Sequence, residues 1–148
     1  MFQRTQKIGM TRKTGQERRD NIIMAKIIIK TADIQLHAFL YDTPTAEGIK
    51  QILPIESVVS TWGEEIYFDI PLKTDLEADA RQDVQIGDLG YWPEGPAFCI
   101  FFGPTPVSTS GNPRAYSPVN IFGKVLEDPA ILKSVRNNTL IGVDLYPE

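Results

Sequence analysis

The sequence predicts a mainly β domain, an antiparallel sheet of about eight strands closed into a barrel with two short helices. Short segments in which apolar and polar residues alternate outnumber the helical patterns, and most connections between them are short. The densest apolar and aromatic run, residues 87–106, is bounded by Gly and Pro and interrupted by a Pro-Glu-Gly-Pro turn. This run predicts two buried strands at the centre of the domain.

Length and composition describe one globular domain. The chain has 148 residues, of which 42% are hydrophobic, enough for a packed core. A single cysteine, Cys99, excludes an intrachain disulfide, and with one histidine, His37, it argues against a Cys/His zinc site. No apolar run reaches the ~18 residues of a membrane helix, and the N-terminus lacks the apolar segment of a signal peptide. We therefore expect a cytoplasmic protein without a cofactor or a membrane contact.

Charge divides the chain into two parts. Residues 1–23 carry six Lys/Arg against two Asp/Glu, whereas residues 24–148 carry nine Lys/Arg against 17 Asp/Glu. We interpret residues 1–23 as a basic flexible extension and residues 24–148 as the barrel domain. The acidic body would repel nucleic acid, so a phosphate contact made by the extension alone is the last of the functional alternatives.

The first half of the domain predicts a hairpin and a helix. Residues 26–30 are β-branched and residues 34–41 alternate with period two, which indicates two paired strands. Thr43 is a suitable N-cap, and Pro44 has the fixed φ of a first helical position. Pro54 ends this helix, which we expect to cover one face of a barrel or sandwich.

The remaining elements follow the same rules. Four carboxylates at 75, 77, 79 and 83 predict a solvated acidic loop or short helix, with a hard-cation site as the alternative. Residues 103–117 form a long loop rich in Gly, Pro, Ser and Thr. Asp128-Pro129 predicts a second short helix over residues 130–135. Further strands are predicted at residues 57–62, 65–70, 84–92, 97–102, 119–125 and 140–145.

Four segments of the chain form an ordered pattern over roughly residues 26–145. They are Asp42-Thr43-Pro44-Thr45-Ala46, Gly87-Asp88-Leu89-Gly90-Tyr91-Trp92, Phe98-Cys99-Ile100-Phe101-Phe102 and Ile121-Phe122-Gly123-Lys124-Val125. Together they resemble the cyclophilins, the prolyl isomerase family. The chain is still more similar to a group of small prokaryotic cyclophilin-like proteins whose function is not established. This resemblance implies an eight-stranded barrel with a helix over each open end.

The resemblance does not extend to the catalytic residues. A catalytic Arg is expected after the first helix, yet residues 51–80 contain no Arg. Phe98 or Cys99 stands where the family has a Gln, and Val119 stands where it has a His. We therefore assign no catalytic residue, with Arg114 of the long loop as the one alternative donor.

Aromatic residues near the Pro-rich loop suggest a ligand-binding groove. We expect it to bind a proline-containing peptide or a small molecule without chemistry. The alternative is a weak or divergent peptidyl-prolyl cis-trans isomerase. We expect His37 to have a structural role and Cys99 to be an inert core residue. The candidate groove residues are Tyr91, Trp92, Phe98, Ile100, Phe102, Arg114 and Tyr116, and we expect no metal ligand.

Overall fold

The structure, a computed structural model, describes residues 22–147. The proposed basic extension, apart from Ile22 and Ile23, lies outside the described residues. The described part contains an α-helix, a 3₁₀ helix and ten strands, and none of its helices is long and apolar enough to cross a membrane. The strands are β1 Ile23–Lys30, β2 Gln35–Tyr41, β3 Ile55–Val58, β4 Ser60–Thr61, β5 Glu65–Asp69, β6 Arg81–Asp83, β7 Asp88–Trp92, β8 Ala97–Phe101, β9 Arg114–Val125 and β10 Leu140–Leu145, and the helices are α1 Pro44–Ile52 and the 3₁₀ helix Pro129–Ser134.

The expected closed eight-stranded barrel is wrong, because the sheet is open and has ten strands within the described residues. Its order is β3-β10-β1-β2-β9-β7-β8-β5-β4, and β6 pairs with β9 beside this path. The two end strands, β3 and β4, are separated only by Val59, and two antiparallel strands need at least a two-residue turn between them to pair. The ends of the sheet are therefore joined by the chain and not by a ladder.

The additional strands come from segments whose pairing is decided by tertiary contacts. The predicted strand over residues 57–62 is divided at Val59, which is fully buried and exchanges backbone hydrogen bonds with Asn138 and Thr139 (2.8 and 2.9 Å). Strand β9 begins at Arg114, inside the predicted long loop, because its first residues pair with the three-residue strand β6. The predicted strand at 140–145 is confirmed.

The sheet is buried on both faces at its centre. One face packs the main core, which includes Phe98, Ile100 and Phe122. The opposite face carries a smaller cluster, which includes Cys99 and Phe101. Because successive side chains of a strand point to opposite faces, β8 supplies both clusters with alternate residues.

The predicted first helix is confirmed as α1. Thr43 Oγ1 accepts a hydrogen bond from the Ala46 N–H (3.0 Å), and Pro44 occupies the first turn. Ile49 is fully buried in the main core, which fixes the inward face of the helix. The second predicted helix is a 3₁₀ helix, which Asp128 caps through the Ala130 N–H (3.0 Å).

A buried amide joins the start of α1 to the acidic segment. Asn120, 1% exposed on β9, donates to Thr45 Oγ1 (2.9 Å) and to the Asp75 carbonyl (3.0 Å). Its Oδ1 accepts from the Glu77 N–H (2.7 Å), and the Glu77 carboxylate accepts from the Thr45 N–H (3.1 Å). Part of the predicted acidic loop is thus held by hydrogen bonds to the body of the domain.

We expect the Asn120→Asp substitution to destabilise the fold by about 3 kcal/mol, because a carboxylate cannot donate these two bonds and adds a buried charge. Urea denaturation measures the loss. Asn112→Asp, in an exposed loop, is the matched control, and its effect should stay within about 0.5 kcal/mol. Equal losses of unfolding free energy for the two substitutions would show that the hydrogen bonds of Asn120 do not stabilise the fold.

Candidate functional site

An aromatic pocket of about 140 Å³ opens on the sheet face that carries the smaller cluster. Strand β5 contributes two side chains two residues apart, which therefore point to the same face. Cys99 is paired in register with Tyr67, and this places both side chains beside each other. The eight residues that line the aromatic pocket are Trp62, Glu65, Tyr67, Trp92, Cys99, Ala115, Tyr116 and Val119.

Four aromatic rings lie around this pocket in edge-to-face pairs. The Tyr116 ring lies 5.9 Å from Trp62 at 75° and 6.0 Å from Trp92 at 81°. Tyr67 and Trp92 follow at 6.5 Å and 80°. The Trp92 indole N–H donates to Ser117 Oγ (2.7 Å), so the polar atom of this half-buried side chain has a partner and its ring is held in place.

One carboxyl group lies at the base of the aromatic pocket. Glu65 is only 6% exposed, and burial raises the pKa of its carboxyl from 4.5 to about 7, although a hydrogen bond from the Cys99 thiol lowers it in part. Burial, and then the charge and hydrogen bond of Glu65, raise the pKa of Cys99 well above its ordinary value. The thiol therefore stays protonated, and Glu65 changes charge near neutral pH.

The structure brings together two of the seven predicted groove residues, Trp92 and Tyr116. Tyr91 faces the main core, where its hydroxyl donates to the Leu72 carbonyl (2.7 Å). Three more predicted groove residues also lie in that core: Phe98, Ile100 and Phe102. The alternation of β7 and β8 explains this division, since residues adjacent to Trp92 and Cys99 must point to the other face.

The seventh predicted residue, Arg114, belongs to a different depression. Its Nε lies 3.2 Å from Asp83 Oδ1, and its guanidinium donates to Gln82 Oε1 (3.3 Å). It lines a polar groove of about 550 Å³ together with Lys124, which is paired with Asp88 at 3.8 Å. Arg114 is not among the residues that line the aromatic pocket.

Sequence reasoning did not select six of the eight residues that line the aromatic pocket, namely Trp62, Glu65, Tyr67, Cys99, Ala115 and Val119. A signal was present, because Glu65 and Tyr67 alternate with the core residues Ile66 and Phe68 along one strand. From the sequence alone, an acidic residue at that position indicates a side chain exposed to solvent. The structure shows instead that Glu65 is buried, beside side chains from β7, β8 and β9.

The remaining candidates have structural roles or do not form a site. His37 Nδ1 lies 2.6 Å from Glu127 Oε2, so the predicted hydrogen-bonded role agrees with the structure. Within residues 22–147, no three His, Cys, Asp or Glu side chains lie close enough together to hold a metal ion.

A family model described as cyclophilin-like matches residues 25–144, most of the chain. The chain belongs to the cyclophilin-like family. Its fold is similar to the solution structure of a hypothetical protein from Archaeoglobus fulgidus, with a TM-score of 0.72 and 30% sequence identity. The match covers 86% of this chain and 98% of the archaeal one, and no curated protein matches the sequence. These similarities identify the family and leave its activity to be inferred from the site.

We expect Glu65→Gln to remove a pH dependence of stability. Between pH 4.5 and about 7 the folded state keeps a proton on Glu65 that the unfolded chain releases, so raising the pH destabilises the native protein. The penalty is complete above pH 7, and its size is about 3 kcal/mol. Gln carries no such penalty, so the variant should gain stability relative to the native protein by that amount from pH 4.5 to 8.

Chemical denaturation at several pH values measures this difference. Glu64→Gln is the matched control, because the neighbouring Glu64 is less buried and lies near Lys133 (4.0 Å) at the surface. A stability difference between Glu65→Gln and the native protein that stays constant with pH would contradict the assignment of the buried proton.

Proposed function

We propose that this cyclophilin-like protein is a binding protein whose aromatic pocket holds a small ligand or one side chain of a peptide. The observation that carries the proposal is an open pocket lined by four aromatic side chains and a buried carboxyl group. Ligand sites are typically concave and apolar, with a few polar groups that fix orientation. The aromatic pocket has this composition, and Glu65 is the one acidic residue among its described lining residues.

The size of the aromatic pocket limits the ligand. A cavity of about 150 Å³ holds one benzene molecule, so the space of about 140 Å³ suits one ring or one compact branched group. A proline ring of a peptide meets this limit, as does the head of a small molecule. Larger ligands would place only one group inside and leave the remainder on the surface.

The polar groove is the weaker candidate for this role. Two of the three cations among its described lining residues form ion pairs, Arg114 with Asp83 and Lys124 with Asp88, and Arg81 is the third. A ligand there would have to replace these ion pairs, whereas the aromatic pocket offers apolar surface that gains free energy when it is covered.

Weak or divergent prolyl isomerisation is the second candidate, and family membership and the ring-sized pocket favour it. Its difficulty is electrostatic. Rotation about a prolyl bond crosses a barrier of ~18–20 kcal/mol, and lowering it requires a group that stabilises the twisted amide. Neither Arg nor Lys is among the residues of the described range 22–147 that line the aromatic pocket, so binding without isomerisation is the function that these residues support best.

We expect the full chain to leave the isomerisation rate of a tetrapeptide with a central Ala-Pro bond at its uncatalysed value, with or without cyclosporin. The physical reason is that no cationic donor is found among the described residues that line the aromatic pocket. A protease-coupled or NMR exchange assay measures the rate. Catalysis above the control that cyclosporin suppresses would establish the isomerase alternative in place of pure binding.

We expect Tyr116→Ala to weaken binding of this tetrapeptide or of benzyl alcohol by about three- to tenfold, because it removes one ring of the pocket, worth about 0.5–1.5 kcal/mol. The fluorescence of Trp62 and Trp92 reports binding directly. Tyr116 is 64% exposed, so its removal should leave the fold intact. Tyr146→Ala, 40% exposed and outside the aromatic pocket, is the matched control and should not change affinity. If both variants bind like the native protein, the pocket is not the site.

A further inference from the structure

We propose that the aromatic pocket selects ligands that carry a methylated ammonium group, which Glu65 and the surrounding rings would hold together. This inference rests on the aromatic pocket being the binding site proposed above and names the class of its ligand. It depends on three features of the described residues: the sign of the charges that line the cavity, the apolar character of its walls, and the contacts around Glu65.

The lining is electrostatically one-sided. Of the eight lining residues in the described part of the chain, four are Trp or Tyr, one is Glu, and none is basic. Aromatic ring faces carry partial negative charge and attract cations most strongly when water is excluded. A carboxylate at the base adds a full negative charge in the same small space. An anionic ligand would be repelled, whereas an organic cation finds favourable partners on several sides.

The walls favour a methylated over a primary ammonium group. Ala115 and Val119 complete the lining, and they offer no hydrogen-bond acceptor from their side chains. A primary ammonium is strongly hydrated and has three donors that need acceptors. Methyl groups replace these donors with apolar surface that can pack against the rings. A compact methylated head also suits a space of about 140 Å³, close to the size that holds benzene.

Glu65 has no basic partner among the lining residues that the structure describes. From β8 it is faced by the Cys99 thiol, which donates a hydrogen bond to it, and the phenols of Tyr67 and Tyr116 are the other titratable groups in the lining. Trp62 and Trp92 complete the ring and do not titrate. Burying an ionised carboxylate without a counter-charge is costly, so a cation is the ligand that would stabilise its charged form.

Entry of a cation therefore displaces a proton from Glu65. Affinity should rise with pH as the carboxyl ionises around pH 7, because only the carboxylate supplies the negative charge. The ionised fraction increases about tenfold between pH 6 and pH 8, and this sets the expected change in affinity. A neutral ligand of the same shape should show the opposite or no dependence.

Choline and 3,3-dimethylbutan-1-ol provide the test, since they share one shape and differ in charge. Each compound is to be titrated into the full chain at pH 6 and at pH 8. Tryptophan fluorescence and isothermal titration calorimetry then give the two affinities. Choline should bind at least about tenfold more tightly than the alcohol at pH 8, and about tenfold more tightly at pH 8 than at pH 6. A peptide with one trimethylated lysine, compared with its unmethylated form, distinguishes a peptide source of the head group from a free small molecule.

Two variants locate the effect. Glu65→Gln should remove the preference for choline and its pH dependence, whereas Glu64→Gln should keep both. Equal or tighter binding of the alcohol would overturn the ammonium inference while leaving the aromatic pocket as a binding site. If neither of these compounds binds, and the tetrapeptide and benzyl alcohol do not bind either, the proposed binding function itself fails. The comparison of choline with 3,3-dimethylbutan-1-ol uses the native protein, so it does not depend on the correct folding of any variant.

Discussion

Strand β8 is buried on both faces, and this constraint organises the domain. Its alternate side chains must fill the main core on one side and the smaller cluster on the other. Gly90 lies on β7 and is paired with Cys99 of β8. Its surroundings show how tightly the face that carries the smaller cluster is packed. A Cβ atom there would approach Val119 to 3.0 Å and Phe101 to 3.2 Å. The base of the aromatic pocket therefore rests on a layer with little freedom to adjust.

Many of the strands and helices can be predicted from local sequence patterns, because each pattern reflects a local physical rule. Period-two alternation identified β2 and β5, and the Thr43-Pro44 pair identified the start of α1. Whether the sheet closes into a barrel was not predictable in this way, because it depends on which strands β3 and β4 pair with. The early start of β9 at Arg114 was also hidden, because its pairing with β6 compensates for a Pro- and Ser-rich sequence.

The candidate site was predictable only where aromatic residues marked it. Trp92 and Tyr116 stand beside turn-forming residues, which suggests surface exposure, and both reach the aromatic pocket. Four other predicted residues, including Phe98, lie in the main core because burial on two faces makes both sets of a strand equally apolar. Glu65 illustrates the opposite case. Its burial results from long-range packing, which also produces its raised pKa, and no local pattern encodes either property.

The order of strands in the sheet has a consequence for how the chain acquires its structure during synthesis. Strand β10 lies between β1 and β3, although it follows both of them by more than 80 residues in the sequence. Until it arrives, β1 and β3 each present an unpaired edge, and such edges favour association with other chains. Contacts so distant in sequence also slow folding. The last strand within residues 22–147 is thus an internal strand of the sheet, and its pairing removes two unpaired edges at once.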